Sequence, residues 1–208
     1  MKDKKIIFRD QRNDDVSVID TLGTDVTPYS MARASYGRGD ETADGDRLKS
    51  FLMMLMERGH FGPFEHCAIT YKLTAPIFVF RQLFRHRTAS ISELSLRYST
   101  APMEFYLHHA IDNSFCDCVR EAVNHYNELT QFCDIKKEDA RAFLPVSLFS
   151  TAYFTMNMRN LFNLWDQRRS RHAQMETRFI AERMLQEARR HFPVIIRSYL
   201  DSRKEFEI

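Results

Sequence analysis

The chain has 208 residues, 44% of them hydrophobic, which suits one domain with a sizeable core over residues 1–208. Its 30 basic and 28 acidic residues leave a net charge of +2, too little for binding nucleic acid by bulk charge, so no stable nucleic-acid partner is expected and charge must act locally. Neither a signal peptide, nor an apolar run of about 18 residues, nor a C-x-x-C pair, nor the cysteine density of a secreted scaffold is present, so a cytoplasmic protein with reduced thiols and no membrane partner is expected.

Between residues 5 and 22, short β-branched runs (Ile6-Ile7, Val16 to Ile19) predict one or two strands, and residues 28–36 a short helix. Asp46 is placed to cap a helix with the apolar stripe Leu48, Phe51, Leu52 and Leu55, which Gly59 ends in the left-handed conformation. From Glu65 to Thr74, Ile69, Tyr71 and Leu73 alternate with Ala68, Thr70 and Lys72, the period of a strand. Ala75-Pro76 then starts a helix with Ile77, Phe80 and Phe84 facing the core and Arg81 and Arg85 one turn apart on another face. An amphipathic helix over 113–133 and a shorter one over 136–144, stopped before Pro145, follow. Phe149 to Met158 is ambiguous; residues 160–168 and 173–191 are helical, and a last short helix runs from Pro193 to Leu200.

The stretch RHRTASISELSLR, Arg85 to Arg97, carries three guanidiniums, four hydroxyls and one carboxylate directly after an apolar helix. Guanidinium forks grip phosphate bidentately and keep their charge, while serine and threonine hydroxyls bond the remaining oxygens. All six glycines lie at or before Gly62, no G-x-x-x-x-G-K occurs, and Thr42 stands where Gly37-x-Gly39 would need a third glycine. Rossmann and P-loop cradles are therefore absent, and phosphates must be held by side chains, chiefly arginine.

Neither an HExxH nor a His-Asp pair occurs among the eight histidines, so no metal is expected. His60 and His66 flank the turn FGPFE. A second polar series, Asn157, Arg159, Asn163, Arg168 and His172, lies among aromatic residues; it fits a planar ring read by amides as well as it fits an exposed helix face. No G-x-S-x-G elbow surrounds Ser90, Ser92 or Ser95, which favours binding over nucleophilic attack.

The pattern RHR-x-x-S-x-x-x-x-S-x-R, met by Arg85, His86, Arg87, Ser90, Ser95 and Arg97, resembles the signature of the flavin-dependent thymidylate synthases (the ThyX family). The likeness extends through GHFGPFEH, APIFVFRQLFRHR, ARAFLP and NMRNLFNLWDQRRSRHAQ. The resemblance implies an α+β fold of mixed helices and antiparallel sheet, a homotetramer with shared sites, and conversion of dUMP to dTMP, with methylenetetrahydrofolate as carbon donor and NADPH-reduced FAD as hydride source. It assigns Arg85, His86, Arg87, Glu93, Asn157, Arg159 and Asn163 to the flavin, with His60 and Gly62 nearby. Gln82, Arg85, Glu93, Leu94, Ser95, Leu96, Arg97, Arg141 and Arg168 fall to dUMP, Arg168 polarising the uracil and Ser95 serving as a pocket hydroxyl. Phe61, Gly62 and Leu96 depart from the family's usual Glu, Ser or Thr, and small or polar residue. A flavin- or nucleotide-binding protein without synthase activity is the alternative, against which Ser95, Arg97 and Arg168 together argue.

Overall fold

Alternating apolar residues make the strand Ala68–Pro76, in which Ile69, Tyr71 and Leu73 are buried and Thr70 and Lys72 turn the other way. Its partner is Phe149–Asn157, the segment left ambiguous by the sequence, which buries Ser150, Ala152, Phe154 and Met156 on one face. Thr70 meets Thr155 at 2.9 Å and Thr74 meets Thr151 at 3.4 Å, so the two strands run antiparallel with a threonine ladder on the opposite face.

The computed structural model describes residues 5–108 and 113–203. In chain order these form β1 (Ile7–Arg9), β2 (Val16–Leu22), α1 (Thr27–Ala34), α2 (Gly45–Glu57), β3 (Ala68–Pro76), α3 (Ile77–Leu83), β4 (Ser90–Glu93) and β5 (Glu104–Tyr106). There follow α4 (Asn113–Gln131), α5 (Lys137–Ala140), β6 (Phe149–Asn157), α6 (Met158–Arg168), α7 (Met175–His191) and α8 (Pro193–Ser202). A four-stranded sheet has the order β2-β3-β6-β4, and β1 pairs with β5 in a separate parallel ribbon.

The chain groups into two compact units. The first gathers the residues up to Asp15, Leu73 to Arg85 and Ser92 to Ala152; the second gathers Val16 to Lys72, His86 to Ile91 and the chain from Tyr153 onward. In the first, Phe105, Leu148, Val119, Val123 and Tyr126 form the core with Leu96 and Leu144. Arg9 is clamped there by both Asp15 oxygens at 2.9 Å and by Glu104 at 2.8 Å, with its guanidinium 3.7 Å from the centre of the Phe149 ring. In the second, α2 packs on α8 and α7 on β2, the Tyr71 hydroxyl donates to the Met184 carbonyl, and the rings of Phe162 and Tyr199 stack at 3.9 Å.

Local chemistry corrects several boundaries. Asp44, not Asp46, is the residue preceding α2, and it makes no side-chain cap bond; Asp46 lies in the first turn, where its charge suits the helix dipole. Gly62–His66 winds into a 3₁₀ turn around Pro63, so β3 starts later than Glu65. The strand then runs on through Pro76, and α3 buries Val79, Phe80 and Leu83, leaving Ile77 and Phe84 half-buried at its margins. The helix expected over 136–144 is one turn, Lys137–Ala140, continued by the 3₁₀ turn Arg141–Phe143.

The end of α2 is as expected. Gly59 has φ +71, His60 N–H donates to the Leu55 carbonyl at 2.8 Å, and Gly59 N–H donates to Met56 at 3.1 Å, which together satisfy the last carbonyls of the helix. Gly23, at φ +83, is more constrained, because a Cβ there would lie 3.0 Å from Cys67 Sγ and 3.1 Å from the His66 carbonyl oxygen. Gly59→Ala should cost roughly 1 to 2 kcal/mol, the penalty for a side chain in the left-handed region. Gly23→Ala should exceed it by about 1 to 3 kcal/mol of overpacking. Urea denaturation midpoints check the order, and equal losses would show that the close approach at Gly23 is relieved by small shifts.

Candidate functional site

In the second unit, β6 passes into α6 at Asn157, whose side-chain oxygen accepts from the Asn160 N–H at 3.0 Å and caps the helix. Asn157, Asn160 and Asn163 recur every third residue, so one helix face presents three amides. All three line a cavity of about 480 Å³, together with Arg159, Thr88 and the rings of Phe61 and Phe162. The volume is in the range of small-molecule sites. The asparagine series is therefore a cavity wall.

Carboxylates hold the cations of this cavity. Arg159 pairs with Glu65, and Arg203 donates to Asp166 at 2.9 Å, both carboxylates also lining the space. Asn163 accepts from Gln167 at 3.0 Å, which leaves its amide N–H groups as donors. Phe61, half-buried, tilts against Phe64 and meets Phe162 edge-on, giving an aromatic wall at a position where the resemblance implies an acidic residue. At Gly62 a Cβ would meet nothing within 4 Å, so the missing side chain leaves open space. His60 is exposed beside it and Arg87 is exposed after His86.

His86 is 9% exposed, and its Nε2 accepts a hydrogen bond from Arg168 Nε at 3.0 Å. Burial first, and then the charge of Arg168, push its imidazole down to about 4. The ring is thus neutral near pH 7, and with Nε2 accepting, its proton sits on Nδ1. Arg168 occupies the last turn of α6, where a cation suits the helix dipole.

In the first unit, α3 carries Gln82, and just beyond its end lies exposed Arg85, whose N–H donates to the Gln82 carbonyl at 3.3 Å. After exposed Glu93 and Leu94, the chain turns: Ser95 Oγ accepts from the Arg97 N–H at 3.3 Å, and the Ser95 carbonyl accepts from Ser99 at 3.0 Å. Arg97 donates through two nitrogens to one oxygen of Glu138 at 2.9 Å, while Arg141 Nε donates to the Glu138 carbonyl at 3.1 Å. One acidic residue thereby gathers two exposed guanidiniums beside the serine turn. Leu96 is 9% exposed and belongs to the hydrophobic core, so toward a ligand it offers its backbone alone.

Sequence reasoning passed over Glu65, Phe162, Asp166, Arg203 and Glu138 as site residues. Glu65 was visible as the acidic member of a turn flanked by histidines. Glu138 gave no signal, because an acidic residue at a helix start reads as an ordinary dipole partner. Among the described residues no group of three or more His, Cys, Asp or Glu is placed to hold a metal ion, and no helix is long and apolar enough to cross a membrane.

The chain matches a family model described as thymidylate synthase complementing protein over residues 17–194. It is 36% identical to the flavin-dependent thymidylate synthase of Thermotoga neapolitana over 173 residues, covering 77% of this chain and 79% of that one. The enzyme of the same description from Thermosipho africanus is 34% identical over 181 residues, covering 76% and 78%. The crystal structure of the UMP/dUMP methylase PolB from Streptomyces cacaoi bound with 5-Br dUMP superposes with a TM-score of 0.85 at 28% identity, covering 94% of this chain and 97% of that one.

The depressed pKa of His86 makes a stability test. An unfolded histidine titrates near 6.5 and the folded one near 4, so between these values the unfolded chain binds the additional proton. The contribution of this group is complete above the upper value and is lost as pH falls to the lower one, by up to roughly 3 kcal/mol. His86→Gln removes the titration. Urea midpoints at about pH 7 and about pH 4.5 should show wild type losing more stability than the variant, and parallel losses would contradict the neutral buried ring.

Proposed function

The chain belongs to the family of flavin-dependent thymidylate synthases, and on that premise we propose that it converts dUMP to dTMP, with methylenetetrahydrofolate giving the carbon. FAD, reduced by NADPH, supplies the hydride when bound. The reading is carried by a set of arginines already held in orientation in a chain whose glycines form no phosphate cradle. The likeness to a UMP/dUMP methylase supports a pyrimidine nucleotide as substrate.

Asn157, Arg159 and Asn163 fit one end of the dinucleotide, since amide donors and a guanidinium line their cavity and Thr88 adds a hydroxyl. Arg85, Arg87 and Glu93 complete the flavin contacts, with His60 and the Gly62 N–H nearby. The dUMP phosphate is assigned to Arg97 and Arg141, whose shared residue Glu138 keeps the two cations together against their mutual repulsion. Ser95 gives a hydroxyl, while Gln82, Leu94 and the Leu96 backbone complete the nucleotide contacts.

Arg168 faces the uracil. A fixed cation beside the ring carbonyl stabilises negative charge as C5 becomes nucleophilic. Ser95 needs no covalent role in this scheme. The assembly is a homotetramer in which neighbouring subunits complete each site.

The purified protein should be yellow and should release tritium from 5-tritiated dUMP only when methylenetetrahydrofolate and NADPH are both present. Arg168→Ala should keep its flavin absorbance and lose about 10² to 10³ in rate, the usual effect of removing one electrostatic stabiliser. Arg87→Ala should lose flavin. A colourless wild type, or tritium release without folate, defeats the reading.

Subunit sharing has its own measurement. Co-assembly of inactive Arg87→Ala and Arg168→Ala subunits should restore part of the activity, and light scattering should give four subunits. Monomers, or mixtures that stay inactive, rule it out.

A further inference from the structure

Arg168 gives its Nε–H to Nε2 of the His86 imidazole at 3.0 Å. A neutral ring nitrogen orients a guanidinium and, by that contact, adds no negative charge. Tying Nε fixes the plane of the guanidinium, and with it the direction of the two terminal nitrogens. Arg168 sits in the last turn of α6, and His86 is 9% exposed, so one end of the contact is on a helix and the other is buried.

We propose that His86 is a positioning residue, acting through Arg168 by presenting Nε2 as a neutral acceptor that aims the arginine at the pyrimidine ring. The inference rests on the functional reading above. It separates His86 from its flanking arginines, Arg85 and Arg87, which are exposed and available to ligands. The proton on Nδ1 is a required part of the device, because only that tautomer leaves Nε2 able to accept from Arg168.

Glutamine and asparagine distinguish the two ring nitrogens. The Gln side-chain oxygen reaches the position of Nε2, and the Asn oxygen that of Nδ1. His86→Gln should therefore retain kcat within about threefold, while His86→Asn should lower kcat at least about tenfold with flavin per subunit and the calorimetric Kd for dUMP within about twofold. Arg168→Ala combined with His86→Asn should be no slower than Arg168→Ala alone, since the histidine then has nothing left to aim. Hydrogen exchange of the Arg168 Nε–H, followed by NMR, should be slow in wild type and His86→Gln and fast in His86→Asn.

The proposal is overturned if His86→Asn stays active while His86→Gln fails, which would place the working atom at Nδ1. It is also overturned if either variant strips flavin with turnover per bound flavin unchanged, or if the double variant shows additive losses. A wild type that releases no tritium defeats the functional reading, while Nε–H protection still decides whether His86 holds Arg168.

Discussion

A chain without a Rossmann or P-loop glycine cradle carries its anion-binding charge on side chains, and long cationic side chains lose much freedom when they are held in one place. That constraint organises what surrounds the candidate arginines of each unit. Glu138 holds Arg97 and Arg141, Glu65 holds Arg159, Asp166 holds Arg203, and His86 holds Arg168. Each partner fixes a donor fork before any ligand arrives, which reduces the ordering that binding must impose. The partners are as much a part of the site as the cations, though they touch no ligand in the proposed scheme.

The same constraint explains the secondary structure around these residues. α6 begins on a side-chain cap at Asn157 and ends at Arg168, so a single rigid element carries both the amide wall of the cavity and the cation held by His86. Ser95 and Arg97 lie in a turn fixed by their own hydrogen bonds and by the burial of Leu96 between them. The departure at position 96 thus exchanges local adaptability for an anchor in the core.

Much of this was legible in the sequence because it depends on local period and motif. The alternation in β3, the glycine that ends α2, the arginine-rich segment after α3 and the asparagine spacing in α6 all follow from residues near one another. What sequence reading missed depends on partners far along the chain. Glu138 meets Arg97 across 41 residues, and Glu65 meets Arg159 across 94. Neither carboxylate has a local pattern that names its partner. β6 was ambiguous because its aromatic and small residues suit either period, and only pairing with β3 decides it. Leu96 was assigned by motif position alone, and its burial in the core is a tertiary feature that the motif does not carry.

The chain changes unit after Asp15, Lys72, Arg85, Ile91 and Ala152, so neither unit is a continuous stretch of sequence. Synthesis therefore cannot finish one before beginning the other. His86 leaves the ribosome 82 residues ahead of Arg168, and Arg9 emerges 95 residues ahead of Glu104. Loop closure over such spans is slow relative to local helix formation. The nascent chain thus holds β3 with β2 alone beside it, and arginines ahead of their distant partners, until those partners are made, and the stage most open to aggregation or chaperone capture is the one before β6 and α6 have been made.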